Sequence, residues 1–141
     1  MKILLLGVGM QGKVALADLA RSADVSEVVA TDRQIDALRA HIADMGYGPK
    51  VRPEMVDAAD PGSIDRLLAQ GPDVVVDLLP VPFSDSVAEA AVTRGVHLVN
   101  TIYTSPALRR LAAEAQAKGI TLLPESGLDP GIDLAMLGQA A

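Results

Sequence analysis

The sequence KILLLGVGMQG, residues 2–12, joins an apolar run to a turn that carries three glycines. After Lys2 the run is all Ile and Leu, a pattern typical of a parallel strand buried on both faces. Gly7 permits a tight turn, Gly9 lets a pyrophosphate approach the backbone, and Gly12 lets the next helix pack close to the strand. Free N–H groups and the dipole at the start of that helix attract phosphate. The turn therefore predicts a dinucleotide site formed by Gly7, Gly9, Met10, Gln11 and Gly12.

Asp32 follows a second predicted strand, Val28–Thr31, and stands twenty residues after Gly12. This spacing places a carboxylate where it accepts hydrogen bonds from an adenosine ribose. The alternative role is that of a helix cap or turn residue. A carboxylate repels a 2′-phosphate, so the sequence favours NAD over NADP. Arg33 has three open roles: accepting a phosphate, stacking on adenine, or lying in solvent.

Residues Gly7 to Lys13 also fit the first seven positions of a P-loop, G-x-x-x-x-G-K. That motif next requires Ser or Thr, whose hydroxyl binds Mg²⁺. This chain has Val14, which cannot bind a metal ion. The sequence therefore argues against hydrolysis of nucleoside triphosphates.

Composition argues against several classes of partner. The 141 residues are 50% hydrophobic, which is enough for one domain with a core. They carry 12 Lys and Arg against 18 Asp and Glu, a formal charge of −6. Binding to nucleic acid or to an anionic membrane needs a basic surface instead. The aromatic residues are too few for base stacking; they are Tyr47, Phe83 and Tyr103.

The chain has no Cys, which excludes disulfides, thiolate catalysis and Cys-ligated zinc. No apolar run approaches the ~20 residues of a membrane span, and the N-terminus does not resemble a signal peptide. The sequence therefore predicts a cytoplasmic protein. His97 is expected to be a hydrogen-bonded histidine within a strand, and His41 to be solvated on a helix. Neither has the spacing to carboxylates that a metal ligand needs, so no metal site is predicted.

Strand and helix patterns alternate along the sequence, which predicts parallel βαβ units with right-handed crossovers. The predicted strands are Lys2–Leu6, Val28–Thr31, Val51–Val56, Asp73–Leu79, Val96–Val99 and Ile120–Leu123. The predicted helices follow Gly12 and then occupy Gln34–Met45, Pro61–Gln70, Ser84–Arg94, the segment from Ser105 to Gly119, and Ile132–Ala141. Pro53 indicates that the third strand lies at an edge.

The expected fold is an α/β Rossmann fold, a doubly wound parallel sheet of six strands in the order 3-2-1-4-5-6 with helices on both faces. We expect residues 1–141 to form one dinucleotide-binding domain. The last predicted helix stops without Gly, Pro or a basic cap. For that reason we expect the domain to be the N-terminal part of a longer chain.

In such a fold the loops after the strands carry function. Asp57, after the third strand, is either a contact to the adenine amino group or a surface carboxylate. Leu79 and Pro80, after the fourth, either line the ribose on the nicotinamide side or form a rigid turn. Asn100 and Thr101, after the fifth, offer polar groups to the same crevice. The loop Glu125–Gly131 is expected to face the nicotinamide ring.

Together these motifs resemble those of the saccharopine dehydrogenase family, which includes lysine 6-dehydrogenase and carboxynorspermidine dehydrogenase. The likeness covers the whole chain and passes through the glycine turn, Ala30–Arg33, Asp73–Pro80, Gly95–Thr101 and Pro124–Asp133. The run Gly-Leu-Asp-Pro-Gly-Ile-Asp at residues 127–133 is the most specific part. Asn100 stands where the family more often has Asp, which puts a charged role for this position in doubt.

The resemblance implies an NAD(P)-dependent oxidoreductase that acts on a CH–NH or CH–NH2 group of an amino acid. Hydride would pass between the nicotinamide and the carbon that bears the amine. A separate substrate domain would supply most contacts to the amino acid, so the domain alone would bind cofactor without turnover. Asp129 is the catalytic candidate that the resemblance suggests.

Two other functions remain open. A non-catalytic NAD-sensing regulatory domain has the same glycines and acidic residue, but generally lacks the turn Asp129-Pro130-Gly131. A Rossmann reductase acting on aldehydes or keto acids would show the same residues with a different substrate domain. The expected partners are the dinucleotide and a small amino-acid substrate, without nucleic acid or membrane, and a homo-oligomer is left open.

Overall fold

The computed structural model describes residues 1–140, and six strands of that part form one parallel sheet in the order β3-β2-β1-β4-β5-β6. The strands are β1 (Lys2–Leu6), β2 (Glu27–Asp32), β3 (Val51–Met55), β4 (Val74–Asp77), β5 (His97–Asn100) and β6 (Leu122–Leu123). The helices are α1 (Met10–Arg21), α2 (Ile35–Met45), α3 (Pro61–Leu68), α4 (Ser84–Arg94), α5 (Pro106–Ala117) and α6 (Ile132–Ala140), with short 3-10 turns at Gly48–Lys50 and Val81–Phe83. The predicted fold class and strand order are confirmed.

Helices cover both faces of the sheet, which explains why β1 is apolar at every position after Lys2. Leu4 and Leu6 pack into a cluster with α3, α4 and α5, whereas Ile3 and Leu5 pack against α1 and α2. Leu5 and Leu6 are both 0% exposed. Burial of apolar area on this scale is the main stabilising contribution to such a fold.

Several predicted element boundaries were wrong by one to three residues because local hydrogen bonds end the element first. The fourth strand stops at Asp77, since the Leu79 N–H turns back to Asp77 Oδ1 at 3.0 Å. The fifth starts at His97, since the Val96 N–H still bonds to the Ala91 carbonyl at the end of α4. The sixth is reduced to two residues, since the Ile120 N–H bonds to the Ala115 carbonyl at the end of α5.

The other differences are small. The first helix begins at Met10 rather than after Gly12, the second strand is longer, and the third strand and third helix are shorter than predicted. Pro53 does lie on an edge strand, because β3 ends the sheet. The predicted last helix is present as α6, and Ala141 lies outside the described residues. Over residues 1–140, none of the helices combines the length and the apolar character needed to cross a membrane.

Candidate cofactor site

Two glycines of the β1–α1 turn are required by the packing of the fold. Gly7 has a φ of +87°, and a Cβ there would lie 2.9 Å from the Leu78 carbonyl oxygen of the neighbouring strand segment. A Cβ on Gly12 would collide with the carbonyl oxygen of Gly7, so only glycine lets α1 start this close to β1. The Gly7 N–H donates to the Thr31 carbonyl at 3.0 Å, which ties the turn to β2.

Gly9 differs because the fold does not need it. A Cβ on Gly9 would meet no atom within 4 Å, so a side chain would project into the open space above the turn. Gly9 is also the N-cap of α1 and offers no side chain to its N–H groups. The first bond within the helix runs from the Lys13 N–H to the Gly9 carbonyl at 3.0 Å. The N–H groups of the first turn are therefore available to an anion such as a pyrophosphate.

Asp32 ends β2 beside this turn, and its carboxylate accepts two backbone hydrogen bonds. Oδ1 accepts a hydrogen bond from the Gln34 N–H at 2.9 Å, which is a turn contact, and Oδ2 accepts from the Val8 N–H at 3.1 Å. A carboxylate has about four acceptor positions, so two remain for ligand hydroxyls. The side chain is half-buried and lines cavities on both sides of β2.

A cavity of about 400 Å³ lies to one side of the glycine turn, and it brings together seven of the predicted cofactor residues. They are Gly7, Gly9, Asp32, Arg33, Asp57 and the pair Leu79-Pro80. Arg33 and Asp57 are exposed, and Asp57 Oδ1 accepts the Ala59 N–H at 3.0 Å. Leu79 and Pro80 thus line the same cavity as Asp57 and lie apart from Asn100 and Thr101.

A second cavity, of about 550 Å³, lies between α1 and α2 and is lined by Met10, Lys13, Asp32 and His41 among others. Met10 is 89% exposed, as expected of a residue beside a ligand site. The prediction that His41 is solvated was wrong in part. Its Nε2 is buried without a hydrogen-bond partner, and its ring lies edge-on to Tyr47 with the centroids 6.1 Å apart.

A third cavity, of about 840 Å³, lies on the other side of the glycine turn, over the ends of β4 and β5. Its lining includes Gln11, Asn100, Thr101 and the stretch 126–129. Asn100 is 2% exposed, and its Oδ1 accepts the Ile102 N–H at 3.3 Å. The Asn100 side chain therefore shapes the loop after β5.

The loop Glu125–Gly131 is fixed in an unusual backbone conformation. Glu125 has a φ of +58°, and its Oε1 accepts the Thr104 N–H at 2.9 Å and the Thr104 hydroxyl at 2.8 Å. These contacts hold the pKa of Glu125 below its ordinary value, the Thr104 N–H contributing most. Gly131 has a φ of +150°, and a Cβ there would collide with the Gly127 carbonyl oxygen. Non-glycine residues with a positive φ, such as Glu125, cluster at functional sites.

Tyr103 is the site residue that the sequence reasoning missed. Its Oη donates to Asp129 Oδ1 at 2.7 Å, and this hydrogen bond raises the pKa of Tyr103 above its ordinary 10.0. Tyr103 is 60% exposed, and both residues line a 350 Å³ cavity beside the loop after β5. Its place three residues after Asn100, on a loop at the carboxyl end of the sheet, was the available signal.

Two further predictions concern His97 and metal binding. His97 Nδ1 accepts the Thr121 N–H at 2.9 Å, so it is a hydrogen-bonded strand histidine, as predicted. Within residues 1–140, no group of three or more His, Asp or Glu side chains is placed to hold a metal ion.

Comparison with known proteins gives one family. Residues 3–123 match the family described as saccharopine dehydrogenase NADP binding domain. The chain is 35% identical over 131 residues to the NADP(+), L-glutamate-forming saccharopine dehydrogenase of Saccharomyces cerevisiae, covering 93% of this chain and 28% of that protein. It is 29% identical over 132 residues to a mitochondrial alpha-aminoadipic semialdehyde synthase of Bos taurus, covering 94% of this chain and 14% of that protein.

A solved structure agrees with these relatives. The apo saccharopine dehydrogenase (L-Glu forming) from Saccharomyces cerevisiae superposes with a TM-score of 0.81 at 34% identity, over 94% of this chain and 28% of that chain. This chain spans 28% of the length of the yeast saccharopine dehydrogenase and 14% of the length of the bovine synthase.

Proposed function

This chain belongs to the saccharopine dehydrogenase NADP-binding-domain family, and from that premise we propose that it is the cofactor-binding part of an amino-acid dehydrogenase. NAD(P) binding follows from the family; the reaction is the proposal. Hydride would pass between the cofactor and an amine-bearing carbon of the substrate. The observation that carries this is the arrangement of two cavities on either side of the glycine turn, which contains Gly9, a glycine that the fold itself does not require.

The residues of the turn fit a dinucleotide. The open space over Gly9 and the unused N–H groups of the first turn of α1 suit a pyrophosphate. The 400 Å³ cavity beside Asp32, Arg33 and Asp57 suits the adenosine, and the 840 Å³ cavity beside Asn100 and Thr101 suits the nicotinamide end. When bound, the nicotinamide supplies hydride chemistry; this chain orients it and shapes its surroundings.

We propose that the domain prefers NAD, although the yeast relative is named as NADP(+)-dependent. The Asp32 carboxylate is held beside the turn by the Val8 and Gln34 N–H groups. In that position its remaining acceptor positions suit the two ribose hydroxyls, and its charge repels a 2′-phosphate. Arg33 is exposed on the same cavity and offsets part of that repulsion.

Asp129 and Tyr103 are the groups that we propose face the reacting centre. The 2.7 Å hydrogen bond between them fixes the carboxylate at the rim of the 840 Å³ cavity. A carboxylate in this place is suited to bind a substrate ammonium group or to accept a proton from it. Asn100 is buried and bonded within its loop, which suits a positioning role better than proton transfer.

The rest of the protein is part of the proposal. The chain spans 28% of the yeast relative, and we propose that a separate substrate domain completes the enzyme and that this domain alone binds cofactor without turnover. A cytoplasmic location stays a prediction, and the bovine relative is named mitochondrial. A homo-oligomer and the absence of nucleic-acid binding also stay predictions.

The test is a fluorescence titration of the 141-residue chain with NADH and NADPH. We expect saturable binding with an affinity for NADH about tenfold above that for NADPH, or 1.4 kcal/mol. Asp32→Asn should narrow this ratio by improving NADPH, and Arg33→Ala should widen it. Equal affinities in the wild type would contradict the role given to Asp32.

A second measurement separates the enzyme from an NAD-sensing regulatory domain. The full-length protein that contains this domain is assayed with NAD and a panel of amino acids and secondary amines. Reduction of NAD with any amine supports the dehydrogenase. Tight NADH binding without turnover of any amine would favour the sensor.

A further inference from the structure

Asp77, the last residue of β4, has a buried carboxyl that none of the roles above uses. The residue is 2% exposed and stands in register between Leu6 of β1 and Asn100 of β5. Its Oδ1 accepts the Leu79 N–H at 3.0 Å. Its Oδ2 is buried and has no hydrogen-bond partner. A buried carboxylate in this state is costly, because burial without compensation penalises the charged form most.

A second orphaned polar group faces it from α4. Ser84, the first residue of that helix, is 3% exposed, and its hydroxyl is also buried without a hydrogen-bond partner. Burial raises the pKa of Asp77 above its ordinary 3.8, while the Leu79 N–H and the nearby Ser84 hydroxyl offset only part of that rise. One hydrogen bond can join the two orphaned atoms, and a protonated Oδ2 that donates to Ser84 Oγ forms it without leaving a buried charge.

We propose that Asp77 is a positioning residue of the cofactor site and acts in its protonated form, donating from Oδ2 to Ser84 Oγ. This bond pins the start of α4 to the end of β4 and fixes the connection between them. That connection includes Leu78, Leu79, Pro80 and Phe83, which line the 400 Å³ cavity beside Asp32 and Gly9. In this proposal the neutral carboxyl group of Asp77 fixes the residues that form this wall of the cavity.

The surroundings of Asp77 support a proton rather than a cation as its partner. The neighbours on β1, β5 and α4 are Leu6, Asn100 and Ser84, and none of them titrates. Two carboxylates lie on nearby elements, Asp57 and Asp85, and both are exposed. They are bonded elsewhere, Asp57 to the Ala59 N–H at 3.0 Å and Asp85 to the Ser105 hydroxyl at 2.6 Å. Arg33 lines the cavity but is exposed to solvent.

The sign of the pH dependence follows from the raised pKa. Between the ordinary value of 3.8 and the higher value in the folded protein, the native state binds a proton that the unfolded chain has lost. The contribution of Asp77 to stability is therefore present below about pH 4 and is lost as the pH rises through the folded-state pKa. Asp77→Asn keeps an acceptor for the Leu79 N–H and a donor for Ser84 without charge, so it should remove this loss.

The first test needs no cofactor and is independent of the proposed function. In ¹³C NMR spectra of the carboxyl-labelled 141-residue chain, the Asp77 signal, assigned by its absence in Asp77→Asn, is followed against pH. We expect its midpoint to lie above the ordinary aspartate value of 3.8. A midpoint at or below 3.8 would overturn the proposal.

The second test rests on the proposed function and measures the dissociation constant for NADH on both sides of the Asp77 midpoint found in the first test. The affinity of the wild type for NADH should weaken as the pH rises through that midpoint, and Asp77→Asn should keep the affinity that the wild type has below it. Asp77→Ala should be weaker by about tenfold, the loss expected when a buried polar partner is left unpaired. Equal losses in the Asn and Ala variants would contradict a positioning role. If the wild type does not bind NADH at all, the proposed function fails while the carboxyl titration still decides the state of Asp77.

Discussion

The turns Gly7–Gly12 and Gly127–Gly131 use the same backbone device for different ends. In each, a Cβ on the last glycine would collide with the carbonyl oxygen of the first, so a helix starts in close contact with the segment before it. The helix after the first turn is packed into the core through Gly12 and Leu16. The helix after the second, α6, exposes its described side chains from 132 to 139 except for Asp133, which is half-buried.

This difference in anchoring suits the two turns to different roles. The first turn is anchored by packing, so it presents bare backbone to a ligand with little side-chain contribution. The second is anchored by hydrogen bonds to the loop after β5, through Tyr103 to Asp129 and Thr104 to Glu125. The second turn therefore presents side chains, rather than bare backbone, to its surroundings. Binding of a common cofactor group suits the first arrangement, and recognition of a particular substrate suits the second.

The largest loss of stability should come from Gly12→Ala, which disrupts the packing of α1 against β1. Its Cβ would collide with the Gly7 carbonyl oxygen, so α1 must move away from β1 at a cost of about 3 kcal/mol. Chemical denaturation should show this loss, and NADH binding should disappear. Gly138→Ala is the matched control, because a Cβ there meets no atom within 4 Å. If Gly12→Ala is as stable as Gly138→Ala, the packing argument is wrong.

Gly9→Ala should separate ligand binding from stability at the same turn. A Cβ at Gly9 meets no protein atom within 4 Å, so the free energy of unfolding should change by no more than about 0.5 kcal/mol. The methyl group occupies the space assigned to the pyrophosphate, so NADH binding should weaken by about 10- to 100-fold, or 1.4 to 2.7 kcal/mol. Unchanged NADH affinity would show that the phosphates lie elsewhere.

Gly131→Ala tests how far the second turn, Gly127–Gly131, contributes to NADH binding. The backbone of Gly131 has a φ of +150°, which strains any L residue, and the loop should lose about 1 kcal/mol of local stability. Because the loop is anchored away from the first turn, NADH affinity should fall by less than about threefold. Hydrogen exchange at the Gly127 and Ile132 amides, which bond to Pro130 and Gly127 carbonyls, should rise in the variant. A loss of NADH binding as large as that of Gly9→Ala would show that the two turns act as one site.

The ionisation of Tyr103 should show whether its hydrogen bond to Asp129 in the second turn forms in solution. Its hydrogen bond to Asp129 raises its pKa above 10.0, so Asp129→Asn should lower the midpoint of the tyrosinate absorbance titration towards that value. The chain has two tyrosines, and a Tyr47→Phe background isolates the signal. A midpoint that does not move would show that the two side chains are not bonded in solution.

The smallest effect is expected from protonation of Glu125 at low pH. Its pKa lies below the ordinary 4.5 because the ionised form accepts the Thr104 N–H and hydroxyl. The stabilising contribution is therefore present above about pH 4.5 and is lost as the pH falls through the folded-state pKa. Glu125→Gln should increase exchange of the Thr104 amide at neutral pH, towards the level of the wild type in acid. Equal exchange in both proteins at pH 7 would remove Glu125 as an anchor.

The sheet was predictable because β1, the glycine turn and Asp32 are read from local spacing. The strand order followed from the alternation of strand and helix patterns, and the family resemblance followed from motifs along the whole chain, above all residues 127–133; both are confirmed. The element ends were less predictable, because they depend on single hydrogen bonds such as that from the Leu79 N–H to Asp77. Periodicity carries no information about such contacts.

The candidate site was predictable where its residues directly follow a strand or stand at a spacing that the fold fixes. Gly7 to Gly12 and Asp32 were found because their spacing is fixed by one βαβ unit. Tyr103 was missed because its partner Asp129 is 26 residues away on another loop, and only the fold brings them to 2.7 Å. The burial of His41 Nε2 and of Asp77 Oδ2 likewise depends on packing between elements.

The most direct measurement of the central claim is the ¹H–¹⁵N chemical-shift map of the chain titrated with NAD. The account predicts the largest shifts at the amides of Val8 to Gly12, with further shifts at Asp32 and Arg33 and at the loop after β5. The Gly9→Ala variant should lose them at the same NAD concentration. Shifts that are absent, or that cluster away from the Gly7–Gly12 turn, would contradict it.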